Sequence, residues 1–238
     1  METGWLEQTE ADVPATNDWL GGRETGLLSG MRFAKRRTDW RLGRWTAKHA
    51  VAAYLNLPAN RPDLAAIEIL PAASGAPEVF VAEQRAAVTI SLSHRGGVAV
   101  CAIAGPGVAL GCDIEIDEPR SDAFAADYFT AAEQSLVSQA CVALRPAVLA
   151  LLWSAKESVL KALTLGLRED PRCVAISVRG AVTQDGEWRP LEASYAGETF
   201  QGWWRRTGTV ISTLVARPAE KRAGFCAPEP APLYRLID

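Results

Sequence analysis

Apolar and small residues recur at helical spacing between residues 32 and 56, where Trp45, Val51, Ala52 and Leu55 share a face until Pro58 stops the pattern. This predicts one helix, or two joined near Gly43. A strand is predicted over residues 66–70 and a turn over 74–77 (SGAP). Residues 86–104, AAVTISLSHRGGVAVCAIA, read as two strands hinged at Gly96 and Gly97. After a break at 105–107 (GPG), residues 108–117 (VALGCDIEID) are β-rich and mostly apolar, as in a buried strand. Thr130 and Glu133 have capping-box spacing, so a helix begins there. Residues 147–164 carry the strongest helical pattern in the chain. Residues 173–216 alternate as four strands, CVAISV, LEASYA, TFQGWW and TVISTLVA. The first 30 residues are weakly patterned, with Trp5, Leu6, Trp19, Leu20, Leu27 and Leu28 suiting a short strand and packing loops. A proline-bearing arm runs from about residue 217.

Two of these segments resemble each other. WTAKHAVAAYL at 45–55 can be laid on WSAKESVLKAL at 153–163, giving W-[ST]-A-K-x-x-V-x-x-x-L at an offset of 108 residues. Each copy is followed by a turn and several strands. The pattern predicts an α+β protein of two similar helix-plus-antiparallel-sheet halves, residues 1–105 and 106–238, related by pseudo-twofold symmetry. The halves differ where chemistry is expected: Glu157 of the second copy stands where the first has His49.

Composition narrows the function classes. With a net charge of −3 over 238 residues, the chain as a whole is no nucleic-acid binder, although Lys35, Arg36, Arg37, Arg41, Arg44 and Lys48 crowd one stretch. The five cysteines form no C-x-x-C pair, which suits reduced thiols in the cytoplasm. Only two histidines are present, so zinc sites of the usual kinds are not expected. The acidic N-terminus lacks the apolar run of a signal peptide, and no apolar stretch approaches the roughly 18 residues that span a membrane. Gly-x-x-x-x-Gly-Lys, Gly-x-Gly-x-x-Gly and Gly-x-Ser-x-Gly are all missing, which argues against nucleoside-triphosphate, dinucleotide and α/β-hydrolase chemistry.

The chemistry concentrates in GCDIE (111–115) and WSAKESVLK (153–161). Asp113 and Glu115 leave the same face of a strand, with Cys112, Ile114 and Ile116 on the other. Side by side, two carboxylates repel and are costly to desolvate, and Mg²⁺ would answer both; an exposed sheet edge is the other reading. Trp153, Glu157 and Lys161 lie on one helical stripe. That is either an ordinary i,i+4 ion pair or, on so apolar a helix, a third carboxylate and a cation for a site. Lys156 adds a second cation about 100° away around the helix. Ser93 and His94, in SLSH, offer a hydroxyl and an imidazole to a phosphate, or simply form a polar turn. Arg36 and Arg44, eight apart, fall on one side of a helix, as a phosphate clamp or as a solvated face.

GCDIE, then FTAAE (129–133), then WSAKESVLK, in this order, resembles the 4′-phosphopantetheinyl transferases of the larger, surfactin-type class. SLSH at 91–94 and RRTDWRLGRWTAK at 36–48 are also similar to that class, so the likeness covers roughly residues 32–168. It implies two α+β halves in a monomer, with coenzyme A as co-substrate and Mg²⁺ (or Mn²⁺) bound in the seam, and no nucleic acid or membrane as partner. Asp113, Glu115 and Glu157 would hold the metal, with Asp113 also at the cofactor. Lys156 and Lys161 would contact the coenzyme A phosphates. Arg36, Arg44 and His94, with Ser93 beside them, would hold the 3′-phosphate and adenine end. Glu157, Lys161 and Asp113 would carry catalysis, Glu157 as base. Residues 124–129 would meet the partner, an apo acyl or peptidyl carrier protein of fatty-acid, polyketide or peptide synthesis. A non-catalytic regulator of the same fold is the alternative. The chain departs from the family at Ala76, where a lysine is common, and the register leaves Arg36 and Arg37 as rivals for the 3′-phosphate.

Overall fold

The computed structural model describes residues 3–178, 182, 186–218 and 229–233. The chain divides into two units, Met1–Gly107 with Pro230–Asp238, and Val108–Glu229. Both mix helices with antiparallel strands, so the protein is α+β.

In the first unit, β1 (Thr3–Thr9) is followed by α1 (Gly22–Ser29), α2 (Ala34–Leu55) and the short α3 (Arg61–Ala65). Then come β2 (Ile67–Pro71), β3 (Pro77–Val81), β4 (Gln84–Arg85), β5 (Thr89–Arg95) and β6 (Val98–Ala104). The weakly patterned N-terminus thus supplies a strand paired along its whole length with β6. Helix α2 runs unbroken through Gly43 and stops at Asn56, whose left-handed backbone (φ 54°) closes it two residues before Pro58. Its buried face, with Trp45, Ala47, Ala50, Val51 and Ala52, forms one core with Leu28, Ile67, Ile90, Cys101 and Ile103.

The second unit opens with β7 (Val108–Ile116), then α4 (Asp122–Tyr128), α5 (Ala131–Gln139) and α6 (Arg145–Ala162). It closes with β8 (Val174–Val178), β9 (Arg189–Tyr195), β10 (Glu198–Thr207) and β11 (Val210–Pro218). These strands form one antiparallel sheet in the order β7-β11-β10-β9-β8. Helix α6 is buried on nearly every side because the sheet covers one flank and α5 another. Gly111 lets it approach β7 very closely: a Cβ there would lie 1.8 Å from the Ser158 carbonyl oxygen. Strand β11 runs on to Pro218. Of the arm anticipated after it, residues 219–228 fall outside the described ones, and β12 (Ala231–Pro232) adds in parallel to β1, giving the sheet β12-β1-β6-β5.

Inside each unit the lysine of the repeated W-[ST]-A-K sequence makes the same buried clasp. Lys48 is fully buried, 2.5 Å from Glu24, and donates to the Trp19 and Leu64 carbonyls at 2.9 Å. Glu24 in turn accepts from the N–H groups of Gly21 (3.1 Å) and Ile69 (3.0 Å). Lys156 is fully buried, 2.9 Å from Glu133, and donates to the carbonyls of Pro171 (3.0 Å) and Val174. Glu133 accepts from Thr130 N–H and Ile176 N–H, both at 2.8 Å. Each ammonium also lies over an aromatic ring, Trp19 at 5.7 Å and Phe129 at 5.9 Å. Burial lowers the pKa of both lysines, against the pull of their glutamates, and pairing and carbonyls together stand in for the water each ammonium loses.

Candidate active site

The second unit brings Asp113, Glu115, Glu157 and Lys161 together. Asp113 and Glu115 share a face of β7, and both are buried. Facing them from α6, the Lys161 ammonium lies 2.6 Å from Asp113 Oδ1 and 3.7 Å from Glu157 Oε2, and donates to the Cys112 carbonyl at 3.2 Å. Arg120, in the loop after β7, holds Glu115 at 2.8 Å and stacks on Phe124 at 4.6 Å.

The electrostatics follow from this crowding. Burial, then the negative charge of Asp113 and, more weakly, of Glu115, push the Glu157 carboxyl up to about 7, although Lys161 pulls the other way. Burial works against the Lys161 charge, but Asp113 and Glu157 outweigh it and hold its pKa above the ordinary lysine value. The cluster thus carries more negative charge than its own lysine neutralises.

Among the described residues, no group of three or more His, Cys, Asp or Glu side chains is already drawn together as a metal would require. Lys161, against Asp113 and Glu157, and Arg120, against Glu115, supply countercharge instead. The donor set nonetheless fits a hard divalent cation: it is all carboxylate oxygen, partly buried, and over-charged.

Lys156, which the resemblance implies at a coenzyme A phosphate, is not brought to this cluster: its ammonium is fully buried, inside the clasp with Glu133 and two carbonyls. A residue next to Glu157 in sequence points elsewhere because successive helical positions diverge by about 100°. Trp153 also leaves the acidic site: it stacks with Phe124 (5.3 Å) and Tyr128 (4.9 Å). Of residues 124–129, Phe124 and Tyr128 are thus engaged with Trp153 and with each other, and Phe129 is buried in the core beside them, while Ala126 and Asp127 are exposed.

The first unit gathers the remaining site residues in one cleft of about 550 Å³. Arg36, Trp40 and Arg44 line it from α2, and Leu92, Ser93 and His94 from β5, with Phe33, Lys35, Asp39 and Gly43 completing the wall. Arg44 stacks on Trp40 at 4.9 Å. Its burial lowers the guanidinium pKa against the attraction of Glu24. Of the two rival arginines, Arg36 lines the cleft, whereas Arg37 closes the Leu28 (2.9 Å) and Met31 (3.3 Å) carbonyls. Ala76 sits in the β2–β3 turn and is not among the cleft residues. His49, at the repeat position of Glu157, is buried, bonded to the Trp45 carbonyl at 3.0 Å and stacked on the Trp45 ring. Burial lowers its pKa below the ordinary imidazole value, against the pull of the Trp45 carbonyl and Asp12.

Sequence reasoning passed over Trp40, Arg120 and the roles of Glu24 and Glu133. The capping-box spacing was the available signal for Glu133. Glu24 had none of that kind, because its N-cap is Gly21 and carries no hydroxyl.

With this geometry in place, the comparisons with known proteins bear on the second unit. Residues 109–214 match the model of the 4′-phosphopantetheinyl transferase superfamily, a stretch containing Asp113, Glu115, Glu157 and Lys161. One solved structure, the holo-[acyl-carrier-protein] synthase of Helicobacter pylori in complex with coenzyme A, is similar over 43% of this chain and 98% of its own, at 16% identity and a TM-score of 0.35. A likeness that low carries no argument about function. No curated protein matches the chain. No helix among the described residues is long and apolar enough to cross a membrane.

Proposed function

We propose that the protein transfers the 4′-phosphopantetheine arm of coenzyme A to a serine hydroxyl of an apo carrier protein, releasing 3′,5′-ADP. The observation that carries this is the meeting of Asp113, Glu115, Glu157 and Lys161 inside the stretch that matches the superfamily model. The motif order supports the surfactin-type class. The clasps of Lys48 and Lys156 support reading the units as diverged copies of one ancestor.

Asp113, Glu115 and Glu157 would hold Mg²⁺ (or Mn²⁺), which when bound supplies neutralisation of pyrophosphate charge. Phosphoryl transfer asks the protein for positioning and charge stabilisation more than covalent help. Lys161, whose pKa is raised by Asp113 and Glu157, stays protonated and offsets charge on the leaving phosphate. Glu157 is the candidate acceptor of the serine proton at a carboxylate oxygen. To the cleft of the first unit we assign the 3′-phosphate and adenine end: Arg36 and Arg44 supply cations, Trp40 a flat face, and Ser93 and His94 polar groups.

The test is incubation with coenzyme A, Mg²⁺ and an apo carrier domain, followed by mass spectrometry. The carrier gains the mass of one phosphopantetheine arm, and 3′,5′-ADP appears in equal amount. A carrier of unchanged mass across a panel of fatty-acid, polyketide and peptide carriers refutes the reading.

A further inference from the structure

We infer that Thr213, with Ser154 and Ser158, is a positioning brace for the acidic site. This rests on the site reading above. Thr213 lies on β11 directly opposite Asp113 in the sheet register. Its hydroxyl oxygen is 2.8 Å from the hydroxyls of both Ser154 and Ser158 on α6. All three residues are essentially inaccessible to solvent. Thr213 can donate to one serine and accept from the other, so each hydroxyl is satisfied and none swells the core. Ser158 also reaches the Thr213 carbonyl at 3.5 Å.

The location explains the need. Ser154 and Ser158 flank Glu157, three residues before it and one after. Thr213 stands beside Asp113. Across this contact the Lys161 ammonium of α6 stands between Glu157 of its own helix and Asp113 of β7, so the placing of α6 against the sheet sets where these groups meet. The hydroxyl bonds pull α6 toward the strand next to β7. The bare Cα of Gly111 allows the approach, with Ser158 again the residue in contact.

The first unit serves as an internal control. Its α2 has the same lysine clasp as α6, so that clasp belongs to the scaffold of both units. At the repeat positions of Ser154 and Ser158, however, α2 carries Thr46 and Ala50. Thr46 bonds back to the Leu42 carbonyl of its own helix at 3.0 Å, and Ala50 has no hydroxyl. The hydroxyl brace therefore accompanies the carboxylates. Among the described residues, those two positions make no hydroxyl bridge to the sheet of their unit: Thr46 donates to its own helix and Ala50 has no hydroxyl.

The experiment uses the full chain, with Mn²⁺ affinity read by paramagnetic resonance and steady-state transfer read alongside. Thr213→Val removes the hydroxyl at nearly constant volume. It should weaken Mn²⁺ by about tenfold or more, as loss of groups that orient metal ligands does. It should lower kcat at least tenfold, since a misplacement of about 1 Å costs on the order of 10²-fold, with KM for coenzyme A within about twofold. Thr213→Ser keeps the hydroxyl and should restore both. Thr46→Val in the first unit should change neither. Should Thr213→Val fail to fold, Ser154→Ala with Ser158→Ala must show the same split. Wild-type Mn²⁺ affinity and kcat in folded Thr213→Val, with only the melting temperature lowered, overturn the brace and leave the site reading intact. A wild type that neither binds Mn²⁺ nor transfers the arm overturns the site reading, and the brace with it.

Discussion

Replacing Glu157 by glutamine should make the metal-free protein more stable, and increasingly so as pH rises. The carboxyl titrates at about 7 in the folded chain against an ordinary value of 4.5, because burial and two neighbouring carboxylates disfavour its charge. A raised folded pKa means that the protonated form is favoured by folding. That contribution is fully present below about 4.5 and is lost as pH climbs through about 7. At about 1.4 kcal/mol per pH unit, the interval from 4.5 to 7 corresponds to about 3 kcal/mol, of which about 1 is already felt at pH 5. Glutamine, neutral at every pH, escapes this cost. Urea unfolding in the presence of EDTA should therefore find Glu157→Gln more stable than wild type by about 2–3 kcal/mol at pH 8, narrowing to about 1 kcal/mol at pH 5. Adding Mg²⁺ at pH 8 should recover stability in wild type and not in the variant. A difference between the proteins that is the same at pH 5 and pH 8 would refute the charge crowding on which the site reading depends.

Other outcomes follow from the same structure. Glu133→Gln should destabilise by about 3–5 kcal/mol, because it strands the buried Lys156 ammonium, whereas Glu133→Leu with Lys156→Met should lose much less; chemical denaturation separates the two. Gly111→Ala must displace α6, at a cost of about 1–3 kcal/mol and with transfer activity lost, read by thermal melting and the carrier assay. Arg44→Ala and Arg36→Ala should each raise KM for coenzyme A by about 10–100-fold, the worth of a charge-assisted hydrogen bond, and leave KM for the carrier unchanged. Saturating Mg²⁺ at about 100 times its Kd should add about 2.7 kcal/mol to wild-type stability at pH 8, and a metal-independent unfolding curve would exclude binding.

Much of the α+β architecture was legible because periodicity reports burial. Alternation placed the strands of the second unit, and VALGCDIEID announced a strand covered on both faces. The N-terminal strand was hard to read because Trp5 and Leu6 sit among polar residues whose partner, β6, lies about a hundred residues away. Separation along the chain also hides the place of Lys156. Its charge looked chemical because a buried lysine needs a reason, and the reason was Glu133, 23 positions upstream in a capping box that showed only its local half. Glu157 and Lys161 were readable as a pair, since their i,i+4 spacing is local. Neither spacing nor composition could show that Arg120 turns back on Glu115 or that Thr213 comes to lie beside Asp113.

Strand β12 has a consequence for biosynthesis. Leu233 donates to the Trp5 carbonyl at 2.9 Å, and its side chain covers Gly4 so closely that a Cβ there would be 2.8 Å from it. Strand β1 therefore waits for a segment from beyond the whole second unit before its edge is covered. The second unit is continuous in sequence and has all its strands before the chain returns to the first. In a growing chain the acidic half can thus close its sheet while the older half still has an open edge.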